Sequence, residues 1–260
     1  MTKIGTLELE GPKPGLVIIT GGSRGIGAAA TRRIAGCGHA VLINYAGNQR
    51  AADTLADDIR QQGGTAFTCR ADIGQEAEVM ALFEAADATG LPLAGLVNNA
   101  GISGGFSRLD ALEASTLQRV LAVNVAGAML CAREAVRRMS TKHGGHGGTI
   151  VNVSSIAARL GSAGEWVHYA VSKGALDTLT IGLAREVATE SLRVNAVAPG
   201  LIETEFHAAV GAPDRVAVMA PNIPMRRPGS PEEIADAIVW LMSTSASYVT
   251  GTILTVGGGR

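Results

Sequence analysis

Short apolar, β-branched runs alternate with amphipathic stretches along most of the chain. The run LVIIT (16–20) ends in Gly21-Gly22 and reads as a buried parallel strand feeding a glycine turn. An Ala-rich helix is expected from Gly25 to about Gly36, then a second strand, AVLINY (40–45). A helix over about 49–62, stopped by Gly63-Gly64, precedes a third strand, TAFTCRAD (65–72). Residues 75–88 read as helix, 93–101 (LAGLVNNAG) as a fourth strand and about 115–140 as one long helix. After a flexible loop, KHGGHGG (142–148), a fifth strand begins near Ile150. A helix then runs to about Glu190, ahead of a sixth strand over 191–200. Pro213, Pro221, Pro224 and Pro228 mark an irregular stretch to about 230. Ser230 suits an N-cap for a helix opened by Pro231-Glu232-Glu233 and reaching about Leu241, and 251–256 (GTILTV) closes a seventh strand.

Strand–helix alternation of this kind implies parallel strands joined by right-handed crossovers. The expected fold is α/β: a Rossmann-type doubly wound parallel sheet of about seven strands flanked by helices. No linker or fixed-period repeat divides it, so residues 15–260 are read as one domain behind a polar, loose leader over 1–14 that carries Pro12 and Pro14.

Composition narrows the function. The chain has 260 residues, 47% of them hydrophobic but only 3% aromatic, and a net charge of −1, which gives nucleic acid or an anionic membrane nothing to bind. Cys37, Cys69 and Cys131 form no CxxC pair and read as reduced, mostly buried thiols of a cytoplasmic protein. The first residues lack an apolar signal core, and no apolar run reaches the roughly 18 residues a spanning helix needs. His143 and His146 sit in a glycine loop without the further ligands a structural zinc requires, so no metal site is expected. Trp166 and Trp240 read as packing residues, Trp166 at the cleft edge or a subunit contact.

The candidate chemistry centres on 150–173, IVNVSSIAARLGSAGEWVHYAVSK. On a helix, Tyr169 and Lys173 share one face, about 6 Å apart along the axis. An ammonium there favours phenolate, but moving a phenol from about 10 to neutrality takes roughly 4 kcal/mol, more than a lysine supplies unaided. Ser154 or Ser155, at the carboxyl end of the strand, would hydrogen-bond the oxygen that gains or loses the proton. His168 is expected to line the same cleft without a chemical role.

The second constellation is TGGSRGIG (20–27), where strand gives way to helix. Gly21, Ser23, Gly25, Ile26 and Gly27 would let backbone approach a pyrophosphate at a helix N-terminus. An acid usually holds the ribose 2′-hydroxyl of NAD at the end of the second strand. Here stand Asn44, Tyr45, Ala46, Gly47 and Asn48, and the first carboxylate is Asp53. With Arg24 available for a 2′-phosphate, NADP(H) is favoured and NAD(H) remains the alternative.

TGxxxGxG, Asn98-Asn99-Ala100-Gly101, Ser-Ser before YxxxK, and Pro199-Gly200 followed by Thr204 together resemble the short-chain dehydrogenase/reductase family, in its order and from about 16 to 256. The resemblance implies that Asp72 and Ile73 meet the adenine and that Asn99, Ala100 and Gly101 line a ribose. It places Pro199, Gly200, Ile202 and Thr204 near the nicotinamide carboxamide. Asn124 would hold a relay water, Ser155 orient the substrate oxygen, Tyr169 act as acid/base, and Lys173 tune it while binding ribose. Ser155 and Tyr169 lie fourteen residues apart, one more than is commonest in the family, and Gly257-Gly258-Gly259 replaces a frequent Asp. Strand alternation favours Ser155 over Ser154, since neighbours face opposite ways.

The expected activity is interconversion of a secondary alcohol and a ketone with NADP(H), on a small-molecule substrate held by 203–225, the loop after Gly101 and 165–168. The alternatives are an NAD-dependent sugar or alcohol dehydrogenase and a non-catalytic dinucleotide sensor. The family resemblance further implies a homotetramer or homodimer.

Overall fold

The computed structural model describes residues 15–208 and 211–260; the leader over 1–14 lies outside them. The chain runs β1 (Leu16–Ile19), α1 (Gly25–Gly36), β2 (Ala40–Tyr45), α2 (Gln49–Gln61), β3 (Ala66–Arg70), α3 (Glu76–Asp87) and β4 (Leu93–Asn98). Next come α4 (Ala114–Leu121), α5 (Ala128–Met139), β5 (Gly148–Val153), α6 (Ala157–Leu160), α7 (Val167–Val187) and β6 (Leu192–Pro199). The last part holds α8 (Glu205–Ala208), α9 (Arg215–Met219), α10 (Pro231–Met242) and β7 (Ile253–Val256).

The strands form one sheet, ordered β3-β2-β1-β4-β5-β6-β7, and every neighbouring pair is parallel. This is the Rossmann-type α/β fold. The winding reverses between β1 and β4, so the crevice at the carboxyl ends of these strands is where a ligand binds. Alternation along β1 supplies both cores: Val17 and Ile19 pack toward α1, α2 and α10, while Leu16 and Ile18 pack toward α3, α5 and α7. Each such fully buried side chain stabilises the fold by about 1.5–3 kcal/mol.

Element ends follow local chemistry. The third strand stops at Arg70, short of Asp72, and the fourth at Asn98, because Asn99 and Ala100 are drawn aside by Thr20. The sixth starts at Leu192, since Ser191 has φ +59°, and the seventh at Ile253, after Gly251 with φ +77°. Ser230 does cap α10: its hydroxyl accepts from Glu233 N–H and its own N–H donates to the Glu233 carboxylate, a reciprocal box behind Pro231.

The single helix expected over 115–140 is instead α4 and α5 joined by a π segment, Ala122–Gly127. The wider turn lets Asn124 reach Ile102, and Gly127 lies so close to Ile73 that a Cβ there would stand 2.4 Å from its carbonyl oxygen. By length and hydropathy alone Ala114–Met139 would suffice to cross a membrane; in the fold Cys131, Ala132, Ala135 and Met139 pack against the sheet. The proline-rich stretch contains the short helices α8 and α9. Of the cysteines only Cys131 is buried; Cys37 is exposed and Cys69 half-buried, so the expectation of mostly buried thiols does not hold.

Candidate active site

One cleft of about 1360 Å³ runs along the carboxyl edge of the sheet, from Arg24 and Asn48 at one end to Tyr169 and Arg215 at the other. Its first wall is the glycine turn. Gly21 and Gly25 have φ +60° and +50°, the region that favours glycine. A Cβ on Gly27 would lie 2.3 Å from Gly21 O and 2.6 Å from Asn99 Nδ2, so only glycine fits there. Arg24 precedes α1 without a side-chain cap, leaving the first N–H groups of the helix without that partner at the cleft. These features suit a pyrophosphate.

Two residues brace the turn. The Thr20 hydroxyl accepts from the Asn99 and Ala100 N–H groups at 3.0 Å each, and Asn99 Nδ2 donates to Thr20 O and Gly21 O. Asn44, expected to face a ribose, is buried: its carbonyl accepts from Gly21 N–H while its NH2 donates to Cys69 O and Ala71 O. Its amide is spent inside the fold, and Ala46, Gly47 and Asn48 are the exposed residues at that strand end. Asn48 also caps α2 by accepting from Ala51 N–H. Tyr45 is buried but borders the cleft, as do Ser23 and Ile26.

Asp72 lies at the cleft wall with both oxygens engaged, one by Gly74 N–H and the other by Arg119 at 2.8 Å. Neighbouring Ile73 is buried in the core. Opposite, Pro199 and Gly200 leave β6 against the last strand, where a Cβ on Gly200 would stand 2.7 Å from Gly257 Cα. That close approach gives Gly257 a packing role. Ile202 is buried, and the Thr204 hydroxyl accepts from Phe206 N–H at the start of α8.

At the far end, the two serines after β5 diverge. The Ser154 hydroxyl is buried and faces Asp177 Oδ1 at 2.6 Å and Lys173 O at 3.2 Å. The Ser155 Oγ accepts from Ala157 N–H at 3.1 Å, and Ser155 and Tyr169 border the same part of the cleft. Lys173 is buried, its Nζ donating to Val153 O at 2.7 Å and lying 5.6 Å from the Tyr169 ring centre. Gly101 makes room: a Cβ there would be 3.3 Å from Lys173 Nζ and 3.4 Å from Asn124 Oδ1. Asn124 accepts from Ile102 N–H and donates to Ile102 O and to Ser172 Oγ, which fixes the loop after β4 against α7.

The electrostatics depart from the expectation of an acidic phenol. Burial pushes Tyr169 up to about 12, and the Ser155 hydroxyl opposes this only in part. Burial likewise pushes Lys173 down to about 8, against the pull of Asp177. The ammonium is itself desolvated and aimed at a carbonyl, so desolvation of the phenolate outweighs it. His168 is tied to Ser103 O at 2.7 Å and does not border the cleft as expected.

Within the 203–225 segment expected to hold substrate, it is Phe206 in α8 and Arg215 at the start of α9 that line the substrate end, which the sequence pattern did not single out. Nor did it mark Arg32 and Arg50, which with Ser23 and Asn48 line a smaller hollow beside the glycine turn. An arginine at the second residue of α2, Arg50, was the available signal. Among the described residues no cluster of three potential metal ligands occurs.

Comparison with known proteins agrees with this layout. Residues 21–260 match the family model described as enoyl-(acyl carrier protein) reductase. The chain is 53% identical to the uncharacterized oxidoreductase YgfF of Escherichia coli (strain K12), covering 94% of this chain and 99% of that one. It superposes on a short-chain dehydrogenase/reductase from Serratia marcescens with TM-score 0.86 and 34% identity, covering 94% and 97%. It superposes equally, at TM-score 0.86 and 30% identity over 94% and 97%, on a blue fluorescent protein from a metagenomic library in complex with NADPH. With the glycine turn, the Asn-Ala-Gly bend and Ser155, Tyr169 and Lys173 around one cleft, the chain belongs to the short-chain dehydrogenase/reductase family and is an oxidoreductase.

Proposed function

We propose that this oxidoreductase interconverts a ketone and a secondary alcohol with NADP(H), using Tyr169 as the acid/base. The observation that carries the reading is the convergence of Ser155, Tyr169 and Lys173 on one cleft, with Lys173 Nζ 5.6 Å from the Tyr169 ring centre and one turn further along the helix. When bound, the nicotinamide supplies or accepts the hydride. A phenol held near 12 stays protonated at neutral pH, which suits it to donate a proton to a carbonyl oxygen. Ser155, whose Oγ already accepts from Ala157, keeps its O–H for that same oxygen. Lys173 holds positive charge beside the phenol and offers its N–H groups to a ribose. Asn124 is a positioning residue, since its amide is engaged with Ile102 and Ser172.

This division of labour separates the serines. S155A is expected to lower kcat/KM about tenfold by removing one donor to the developing oxyanion, whereas S154A should act on stability through Asp177 and leave the pH profile of turnover in place. Steady-state rates paired with thermal melts distinguish them; equal kinetic losses would reassign the role.

Support for NADP(H) comes from the hollow beside the glycine turn, lined by Ser23, Arg32, Asn48 and Arg50, with Arg24 on the adjoining wall. Arg50 is exposed, and Arg24 makes a 3.4 Å contact to exposed Glu205. No carboxylate borders that hollow. Oxidation of NADPH and NADH is compared over a panel of ketones, in wild type and in R24A/R50A. We expect kcat/KM with NADPH to fall about tenfold or more in the variant and that with NADH to hold, because charge-assisted bonds to phosphate are worth about 1.5–3 kcal/mol. A wild-type preference for NADH would reject the cofactor assignment; no turnover with any ketone would reject the reaction.

A further inference from the structure

The chain is poor in aromatic residues, yet three of its nine aromatic side chains, Trp166, Tyr169 and Phe206, line the substrate end of the cleft, and a fourth, Phe106, stacks on Trp166. Phe106 and Trp166 stack at 4.7 Å between ring centres. Trp166 and Phe206 stand 6.0 Å and 5.8 Å from the Tyr169 ring and 6.2 Å from each other. Any group attached to a carbonyl held at the Tyr169 hydroxyl therefore meets aromatic faces first.

The Glu165 carboxylate and two nitrogens of Arg215 at this end are committed to each other. Glu165 and Arg215 form a two-pronged ion pair at 2.8 Å and 2.6 Å. The guanidinium lies over both Trp166 and Phe106, at 4.9 Å and 5.5 Å from their ring centres. Ser107 N–H donates to Glu165 O at 2.7 Å and joins the loop of Phe106 to that of Trp166. The pair thus clips three loops together. A polyol would need several hydrogen-bond partners for its hydroxyls, whereas the carboxylate is matched to Nη1 and Nη2 of the guanidinium and only the buried Arg215 Nε is left over.

We propose that the substrate is a ring-bearing, largely apolar ketone whose ring lies against Trp166 and Phe206, with the Glu165–Arg215 pair acting as a specificity-determining clamp that holds this wall in place. The inference rests on the assignment of Tyr169 as proton donor to a ketone. Ring-on-ring contacts are worth about 0.5–1.5 kcal/mol beyond area, or roughly two- to tenfold each.

The test compares kcat/KM for an aryl alkyl ketone and a cyclohexanone with that for an open-chain methyl ketone of equal carbon count, and with an aldose. Wild type should favour the ring ketones about tenfold or more. In W166L, F206L and R215A the ring-to-chain ratio should fall to within about twofold of one. Binding is read separately in W240F, where Trp166 is the remaining tryptophan: with oxidised cofactor present, a ring ketone should quench its emission and the open-chain ketone should not. Ring and open-chain ketones reduced equally well, an aldose preferred, or emission left unchanged by ring ketones would overturn the ring inference alone. Failure to turn over any ketone would overturn the ketone-reductase reading and this inference with it.

Discussion

Changing Tyr169 to Phe is expected to cut kcat a hundredfold or more while the dissociation constant for cofactor stays within about threefold. The substitution removes one hydroxyl and keeps the ring that packs beside Trp166 and Phe206. Its loss leaves Ser155 as the single side-chain donor to the substrate oxygen, with no proton to deliver at neutral pH. The direction of pH dependence follows from the raised phenol. Reduction uses the protonated form, already dominant at neutral pH, whereas oxidation of the alcohol uses phenolate and should climb with pH toward 12. Stopped-flow hydride transfer in both directions, with cofactor titrations on the variant, checks each part. A Y169F enzyme that keeps more than a tenth of wild-type turnover would remove the phenol from the chemistry.

The second large effect concerns Lys173, where function and stability should move in opposite directions. K173M should lower turnover about a hundredfold, since the charge beside the phenol disappears. It should also stabilise the fold at neutral pH. The depression of Lys173 from 10.5 to about 8 corresponds to about 3 kcal/mol of burial cost, offset in the variant by roughly 1 kcal/mol for the lost hydrogen bond to Val153 O. Below about pH 8 the lysine is charged in both the folded and unfolded chain, and the folded state carries the whole cost. Between about 8 and 10.5 the folded protein gives up that proton while the unfolded chain keeps it, so wild-type stability rises with pH. The advantage of K173M should therefore shrink from pH 7 to pH 10. Urea unfolding at both values measures it; a variant less stable at pH 7 by the same amount as at pH 10 would show that the hydrogen bond outweighs the burial.

Much of this was legible in the residues. Strand runs such as AVLINY and glycine stops such as Gly38 and Gly63, both at positive φ, mark the elements directly because the physics is local. The YxxxK spacing and the TGGSRGIG turn likewise carry their geometry with them. What was not legible depends on distant partners. Whether Asn44 faces a ribose or its own backbone is decided by Gly21 and Ala71, far away in sequence. The acidity of Tyr169 is set by how tightly its surroundings exclude water, which spacing along one helix does not encode. The segments that carry Phe106, Trp166 and Phe206 were placed near the substrate, but the contact of their rings was hidden, because it joins a loop, the start of α7 and the short α8 across long stretches of sequence.

The π segment between α4 and α5 has one more consequence. A single extra residue in that turn sets the two helices out of phase by about 100° relative to an unbroken helix. Val120 before it and Cys131, Ala132 and Ala135 after it are buried with that offset in place. Trimming the turn back to regular pitch would rotate Val120 by that angle relative to Cys131, Ala132 and Ala135, so the bend that aims Asn124 at Ile102 cannot be removed without repacking one of the two helices.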